Sequence, residues 1–341
     1  MSAARYRIFN RRDNIAEGWY WLLPARQVKP GQVRPVNILG LELAVFRGRS
    51  GRLAALDAYC PHMGAHLAEG NVEGDQLRCF FHNWRFDASG HCTDIPCLDE
   101  RLQTRVCTRS WQVAQCHGLI WLWLGDGEPG VAVPEVPELA GGEYEFSLGN
   151  RFIKGCHPNV VMINAIDEQH FHTVHSLPGS ILSMQPRICA VNNIGFHNTG
   201  QMPRQRLIGR LLSRFYQDRL TYNLSYWYGS VGTVTFGPDF LHLHLMFALR
   251  LTPEGKTEGH TIVFTKKRRG PLGWIFNRFV LALTKLGGKY FAIGDTRIFS
   301  TIRFDLKTPI AADRAVLAFV KHLELQQAYP LQAIHTENQP Q

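Results

Sequence analysis

The chain has 341 residues, 45% of them apolar and 19% charged, which excludes a disordered protein and allows one large domain or two modest ones. The formal charge of +9 is compatible with a nucleic-acid, membrane or acidic partner, but the basic residues are scattered. The one tight run, Lys266-Lys267-Arg268-Arg269, reads as a solvated loop, and we expect no nucleic-acid partner. Residues 1–14 are polar and basic, without a signal-peptide core, and no window of 18 uninterrupted apolar residues predicts a spanning helix. The eight cysteines therefore read as reduced thiols or metal ligands, and the expected location is the cytoplasm.

In chain order, the first third is punctuated by glycine and predicts short strands. Val36 and Ile38 flank Asn37, Leu43 to Phe46 is apolar, and Leu53 to Tyr59 continues as a further strand. Leu119 to Leu124 is apolar on both faces, as in a strand covered on both sides. A Gly- and Pro-rich linker follows, and we expect a boundary there: one domain over 1–132, another over 133–341. In the second part, Val160 to about Thr173 predicts a helix started by Pro158. Leu241 to Leu245 alternates leucine with His242 and His244, and Thr261 to Thr265 reads as a strand. Val316, Phe319, Val320 and Leu323 recur at helical spacing behind Asp313, an expected N-cap. The fold class is thus α+β: an all-β N-terminal domain, then an α+β domain.

Two short pairs carry the first chemistry: Cys60-Pro61-His62 and Cys79-Phe80-Phe81-His82, sixteen residues apart. Zinc takes two Cys and two His, but its motifs usually pair Cys with Cys and His with His. Mixed pairs suit a Rieske [2Fe–2S] centre, where one iron takes two thiolates and the other two imidazoles, which raises the cluster potential. Gly64, Gly70, Gly74 and Gly90 supply turns, Pro61 stiffens one loop and Trp84 is placed to shield the other.

The run Cys60-Pro61-His62-Met63-Gly64-Ala65 with Cys79-Phe80-Phe81-His82-Asn83-Trp84-Arg85-Phe86 closely resembles the Rieske family. Respiratory members carry an extra cysteine in each loop, joined as a disulfide. Ala65 and Phe81 stand at those positions here, so the resemblance is to the oxygenase or ferredoxin branch. Cys92 and Cys97 read as free thiols.

A Rieske ferredoxin would end near residue 120. The remainder holds a second polar cluster: Asn164, Asp167, Glu168, His170, His172 and His175. On one helix, Asp167 and His170 would share a face. Two imidazoles and a carboxylate on one face of iron form the facial triad of non-haem Fe(II) oxygenases. The pattern resembles the catalytic motif of the Rieske non-haem iron oxygenases, and the resemblance runs from about Gly18 to about Gln327. It implies His170 and His175 as iron ligands. It also implies Asp167 as a bridge that hydrogen-bonds His170 and reaches the His82 of a neighbouring subunit, and Asn164 near the iron. The third ligand is expected at Asp295, with Asp305 and Asp313 as rivals; His242 and His244 are expected to be core or pocket residues.

The run Leu56 to Ala65 looks most like the steroid-acting branch, the ketosteroid 9-alpha-hydroxylases and cholesterol 7-desaturases. The resemblance further implies a helix-grip (START-like) catalytic domain, a homotrimer, and electrons from NAD(P)H through a separate reductase or ferredoxin. With O2 these would hydroxylate, desaturate or demethylate a hydrophobic, steroid-like or aromatic substrate. The basic stretch Arg204 to Arg219 reads as an amphipathic helix over the pocket rather than as a membrane contact. The alternatives are a Rieske electron carrier with a non-catalytic lipid-binding domain, and a zinc-stabilised binding module.

Overall fold

The structure, a computed structural model, describes residues 6–98, 106–175, 184–201, 219–238 and 241–331. The described residues divide into two compact units, one within 19–133 with 330–331, the other within 6–18 and 134–329.

The first unit is built from three small antiparallel sheets. One orders Ser110–Trp111, Leu53–Asp57, Leu41–Arg47 and Gln32–Ile38. Another orders Val113–Cys116, Leu119–Leu124 and Gly18–Pro24. Every residue of Leu119–Leu124 is buried, as its unbroken apolar run predicts. The third sheet, Asn71–Glu73, Gln76–Arg78, Arg85–Phe86 and Cys92–Asp94, is made of strands of two or three residues. Leu56, Leu67, Leu77 and Phe86 form its core together with Cys60 and Cys79. The expected strand Leu53 to Tyr59 stops at Asp57; Tyr59 instead makes an isolated bridge with His66 that closes the first cysteine loop.

The second unit is α+β. A seven-stranded antiparallel sheet runs Tyr144–Lys154, Thr257–Lys266, Leu243–Leu251, Val231–Pro238, Arg219–Trp227, Asn193–Gln201 and Gln185–Ala190. Four helices among the described residues accompany it: α1 (Pro158–Asn164), α2 (Glu168–Thr173), the 32-residue α3 (Gly270–Thr301) and α4 (Arg314–Glu324). Helix α3 lies against the first three strands, with Leu281 packed on Leu245 and Val263. Helix α4 buries Val316, Phe319, Val320 and Leu323, the stripe read from the sequence.

Three expectations are corrected. The single helix over 160–173 is two. Asp167 leaves helical geometry and its carboxylate accepts from the N–H groups of Gln169 (3.0 Å) and His170 (3.2 Å), so the chain stops and restarts. Asp313 stands before α4, yet its carboxylate accepts from the Ile310 N–H at 2.9 Å rather than from the helix it precedes. Residues 6–18, expected in the first domain, belong to the second unit. There the Glu324 carboxylate accepts from the N–H groups of Arg7, Ile8 and Phe9, and Phe9 meets Phe304 and Phe319 edge-on.

Candidate metal centres

The two Cys–His loops of the first unit are built alike. In one, the Cys60 N–H donates to Ala65 O and Cys60 O accepts from the Gly64 N–H, both at 2.9 Å. In the other, the Cys79 N–H donates to Trp84 O at 2.9 Å and Cys79 O accepts from the Asn83 N–H at 3.1 Å. Each loop turns at the fourth residue after its cysteine: Gly64 has φ +71° and Asn83 φ +60°. Glycine and asparagine tolerate this left-handed conformation, and most residues do not.

Both cysteines are buried, while His62 and His82 are exposed. Burial pushes the Cys60 thiol up to about 11, and neighbouring Cys79 adds to the rise. Such a thiol becomes a thiolate readily only where a cation holds it. The imidazoles of His62 and His82 face each other at 4.6 Å between centroids. Trp84 lies flat on His62 at 4.4 Å and 6°, so it covers the histidine of the first loop, whereas the sequence placed its shielding on the second.

The second group lies in the other unit. Asp295, on α3, places Oδ1 2.8 Å from His170 Nε2 and 3.0 Å from His175 Nε2. Among the described residues this is the one set of three donors close enough to share an ion.

Each side chain of the triad is held by a different device. His170 follows the Asp167 cap, and its Nδ1–H donates to the backbone carbonyl of Asn164 at 3.0 Å. Its Nε2 then faces Asp295 Oδ1 at 2.8 Å. Ligands at right angles, each about 2.1 Å from one ion, lie about 3 Å apart, so the donor set fits a metal. His175 packs on Gly294: a Cβ there would lie 3.2 Å from His175 Cε1. Burial pushes the Asp295 carboxyl up, but His170, His175 and the Asn164 side chain outweigh that and hold it below the usual carboxylate range. Burial pushes His175 down, against the pull of Asp295.

The structure brings together His170, His175, Asp295 and Asn164. It corrects one detail: Asp167 bonds the backbone N–H of His170, not its ring, because its carboxylate caps α2. The rival Asp305 pairs with Lys307 at the surface, and Asp313 bonds Ile310; neither joins the triad. His244 is buried, with Nδ1 on Thr235 Oγ1 at 2.9 Å, and Thr235 donates to Glu138. Pro178, Gly179, the side chain of His172 and the stretch 204–218 lie outside the described residues. Sequence reading missed the Asn164 carbonyl, since every residue has one, and Gly294, whose neighbour His175 is over a hundred residues away.

Residues 18–115 match the Rieske [2Fe–2S] domain family. The N-terminal unit is a Rieske domain. The chain is 39% identical over 174 residues to the cholesterol 7-desaturase of Ciona intestinalis, covering 49% of this chain and 37% of the relative. It is 36% identical over 168 residues to the oxygenase component of 3-ketosteroid-9-alpha-monooxygenase of Mycolicibacterium smegmatis, covering 48% and 44%. The matches thus span less than half the length of these relatives. Two solved structures extend the likeness over the whole fold. The oxygenase of carbazole 1,9a-dioxygenase, solved in a reduced complex with ferredoxin, superposes with a TM-score of 0.72 at 16% identity, covering 97% of this chain and 94% of that one. Dicamba monooxygenase with non-haem iron and dicamba gives 0.61 at 18%, covering 95% and 99%. The Rieske domain followed by an α+β unit is therefore the fold of these oxygenases.

Proposed function

We propose that this chain is the oxygenase component of a Rieske non-haem iron enzyme that hydroxylates, desaturates or demethylates a hydrophobic, steroid-like or aromatic substrate. The observation that carries the reading is the convergence of His170, His175 and Asp295 in a chain that also has a Rieske domain. A Rieske electron carrier with a lipid-binding domain has no need of that triad. The relatives named as steroid-acting enzymes support the substrate class, and the ferredoxin complex of the carbazole enzyme supports an electron-donating partner.

An Fe(II) ion held by His170, His175 and Asp295 would supply O2 activation, with electrons drawn from NAD(P)H through a separate reductase or ferredoxin and the [2Fe–2S] cluster. The protein's part is positional. Buried Cys60 and Cys79 would hold one iron of the cluster and exposed His62 and His82 the other, and the cluster would supply electrons. Trp84 limits water at His62. The Asn164 carbonyl fixes the tautomer of His170. Asp167, an exposed-side cap of α2, is assigned as the bridge to His82 of a neighbouring subunit in a homotrimer, with residues 1–132 and 133–341 as the working domains. The assembly operates in the cytoplasm; no helix among the described residues is long and apolar enough to cross a membrane.

The test is iron per chain on anaerobically purified protein, with electron paramagnetic resonance before and after dithionite. About three irons and a reduced Rieske signal support the oxygenase. Two irons, unchanged after Fe(II) addition, refute it in favour of the electron carrier.

A further inference from the structure

Helix α3 has an inverted surface. Its buried stripe includes polar Asn277 and Thr284 beside Val280 and Leu281. Asn277 is held there by Glu145 and the Arg268 carbonyl, and Thr284 by the Val280 carbonyl. Its outer face carries Leu272, Ile275, Phe276, Phe279 and Leu286, at helical spacing, with exposures of 81, 58, 41, 58 and 67%. Trp274 is 55% exposed on the same first turns. A run of large apolar side chains on one outer helix face marks a docking surface, because each loses hydrophobic free energy while it faces water.

The charge around this face is of one sign. Lys266-Lys267-Arg268-Arg269 leads into the helix, Arg278, Lys285 and Lys289 follow along it, and no Asp or Glu occurs from 266 to 289. Arg268 lies over the Phe276 ring at 4.5 Å and Arg278 over Trp274 at 5.4 Å, so cations flank the aromatic rings. Glu143 is the carboxylate that faces the run, shared between Lys267 and Arg269. A second copy of the same face would meet these cations with its own. A bilayer bearing anionic headgroups offers the apolar layer and the opposite charge together.

We propose that the N-terminal half of α3, from Leu272 to Leu286, together with the preceding basic run, seats the protein on an anionic lipid surface without spanning it. The exposed apolar side chains enter the acyl boundary and the cations meet headgroup phosphates. The proposal uses none of the candidate metal ligands, so its failure would leave the oxygenase reading untouched.

The experiment is flotation of the full-length, iron-loaded protein with phosphatidylcholine vesicles, with and without phosphatidylserine, at low and high salt. The wild type should float with the anionic vesicles and be released by salt. Ile275→Glu/Phe279→Glu and Lys266→Glu/Lys267→Glu should each cut the bound fraction at least tenfold. Leu272→Ser, at a side chain too exposed to unfold the helix, should reduce it several-fold with the cluster absorption unchanged. Wild-type protein that stays unbound on both vesicles overturns the proposal. So does flotation unaffected by all three changes, or a lower mass in solution for Ile275→Glu/Phe279→Glu, which would make the face a contact between copies.

Discussion

Asp295 Oδ1 stands 2.8 Å from His170 Nε2, although 125 residues separate them in the chain. His170 is fixed from behind by a backbone carbonyl, and Asp295 projects from a 32-residue helix braced on the sheet. Rigid supports on both sides are what a metal site needs to hold its donors at ligand spacing.

That relationship yields the first prediction. Asp295→Ala should lower the iron content from about three to about two per chain and leave the cluster absorption and the reduced Rieske signal intact. Metal analysis and spectroscopy on the same sample decide it. Three irons in the variant would remove Asp295 from the ligand set.

The matched cysteine loops predict an asymmetric tolerance at Asn83, which has φ +60°. Asn83→Gly should keep the cluster. Asn83→Val forces a β-branched residue into the left-handed region at about 1–2 kcal/mol, enough for roughly tenfold faster cluster loss. Decay of the visible absorption in air measures this, and equal decay for both variants would contradict it.

His157 predicts a pH dependence of stability. Its Nδ1 accepts from the Asn159 N–H and its Nε2–H donates to Arg11 O, so the neutral ring is fully satisfied. Burial, with Arg12 nearby, pushes it down to about 4. The unfolded chain, with an ordinary value near 6.5, takes up the proton first as pH falls. Stability from this group is therefore complete above about pH 6.5 and is lost toward pH 4, by about 3 kcal/mol. Denaturant unfolding across that range should show the loss, and His157→Gln should flatten it. A slope identical in the variant would assign the effect elsewhere.

Glu324 predicts a mechanical role for the N-terminal segment. Its carboxylate takes the N–H groups of Arg7 (2.6 Å), Ile8 (2.9 Å) and Phe9 (2.6 Å). Removing it in Glu324→Ala leaves three donors without their anion, a loss of about 2–4 kcal/mol. Amide exchange at residues 7–9 should accelerate at least tenfold and the melting temperature should fall by several degrees. Unchanged exchange would show that the contacts of Phe9 hold the segment alone.

The cluster site was legible because it is local. Each loop places Cys and His within four residues of each other, and the residues that let it turn, Gly64 and Asn83, lie in the same short stretches. Asp295 was singled out by resemblance to a family, not by spacing, for no periodicity links it to His170. The helix over 160–173 was misread because the apolar pattern crosses the break, and the capping role of Asp167 cancels that continuity. Residues 6–18 fall in the other unit because partners such as Glu324 and Phe319 lie three hundred residues away.

By itself, then, the sequence marked out the two Cys–His loops and the α+β class, since short-range spacing and hydrophobic pattern are written along the chain, and its family resemblance singled out His170 and His175. Only the tertiary structure decided which carboxylate meets them, which carbonyl orients His170, and which face of α3 stays apolar and exposed. Those depend on how α3 lies on the sheet and which of its two apolar faces the sheet covers, a choice made by packing between distant segments.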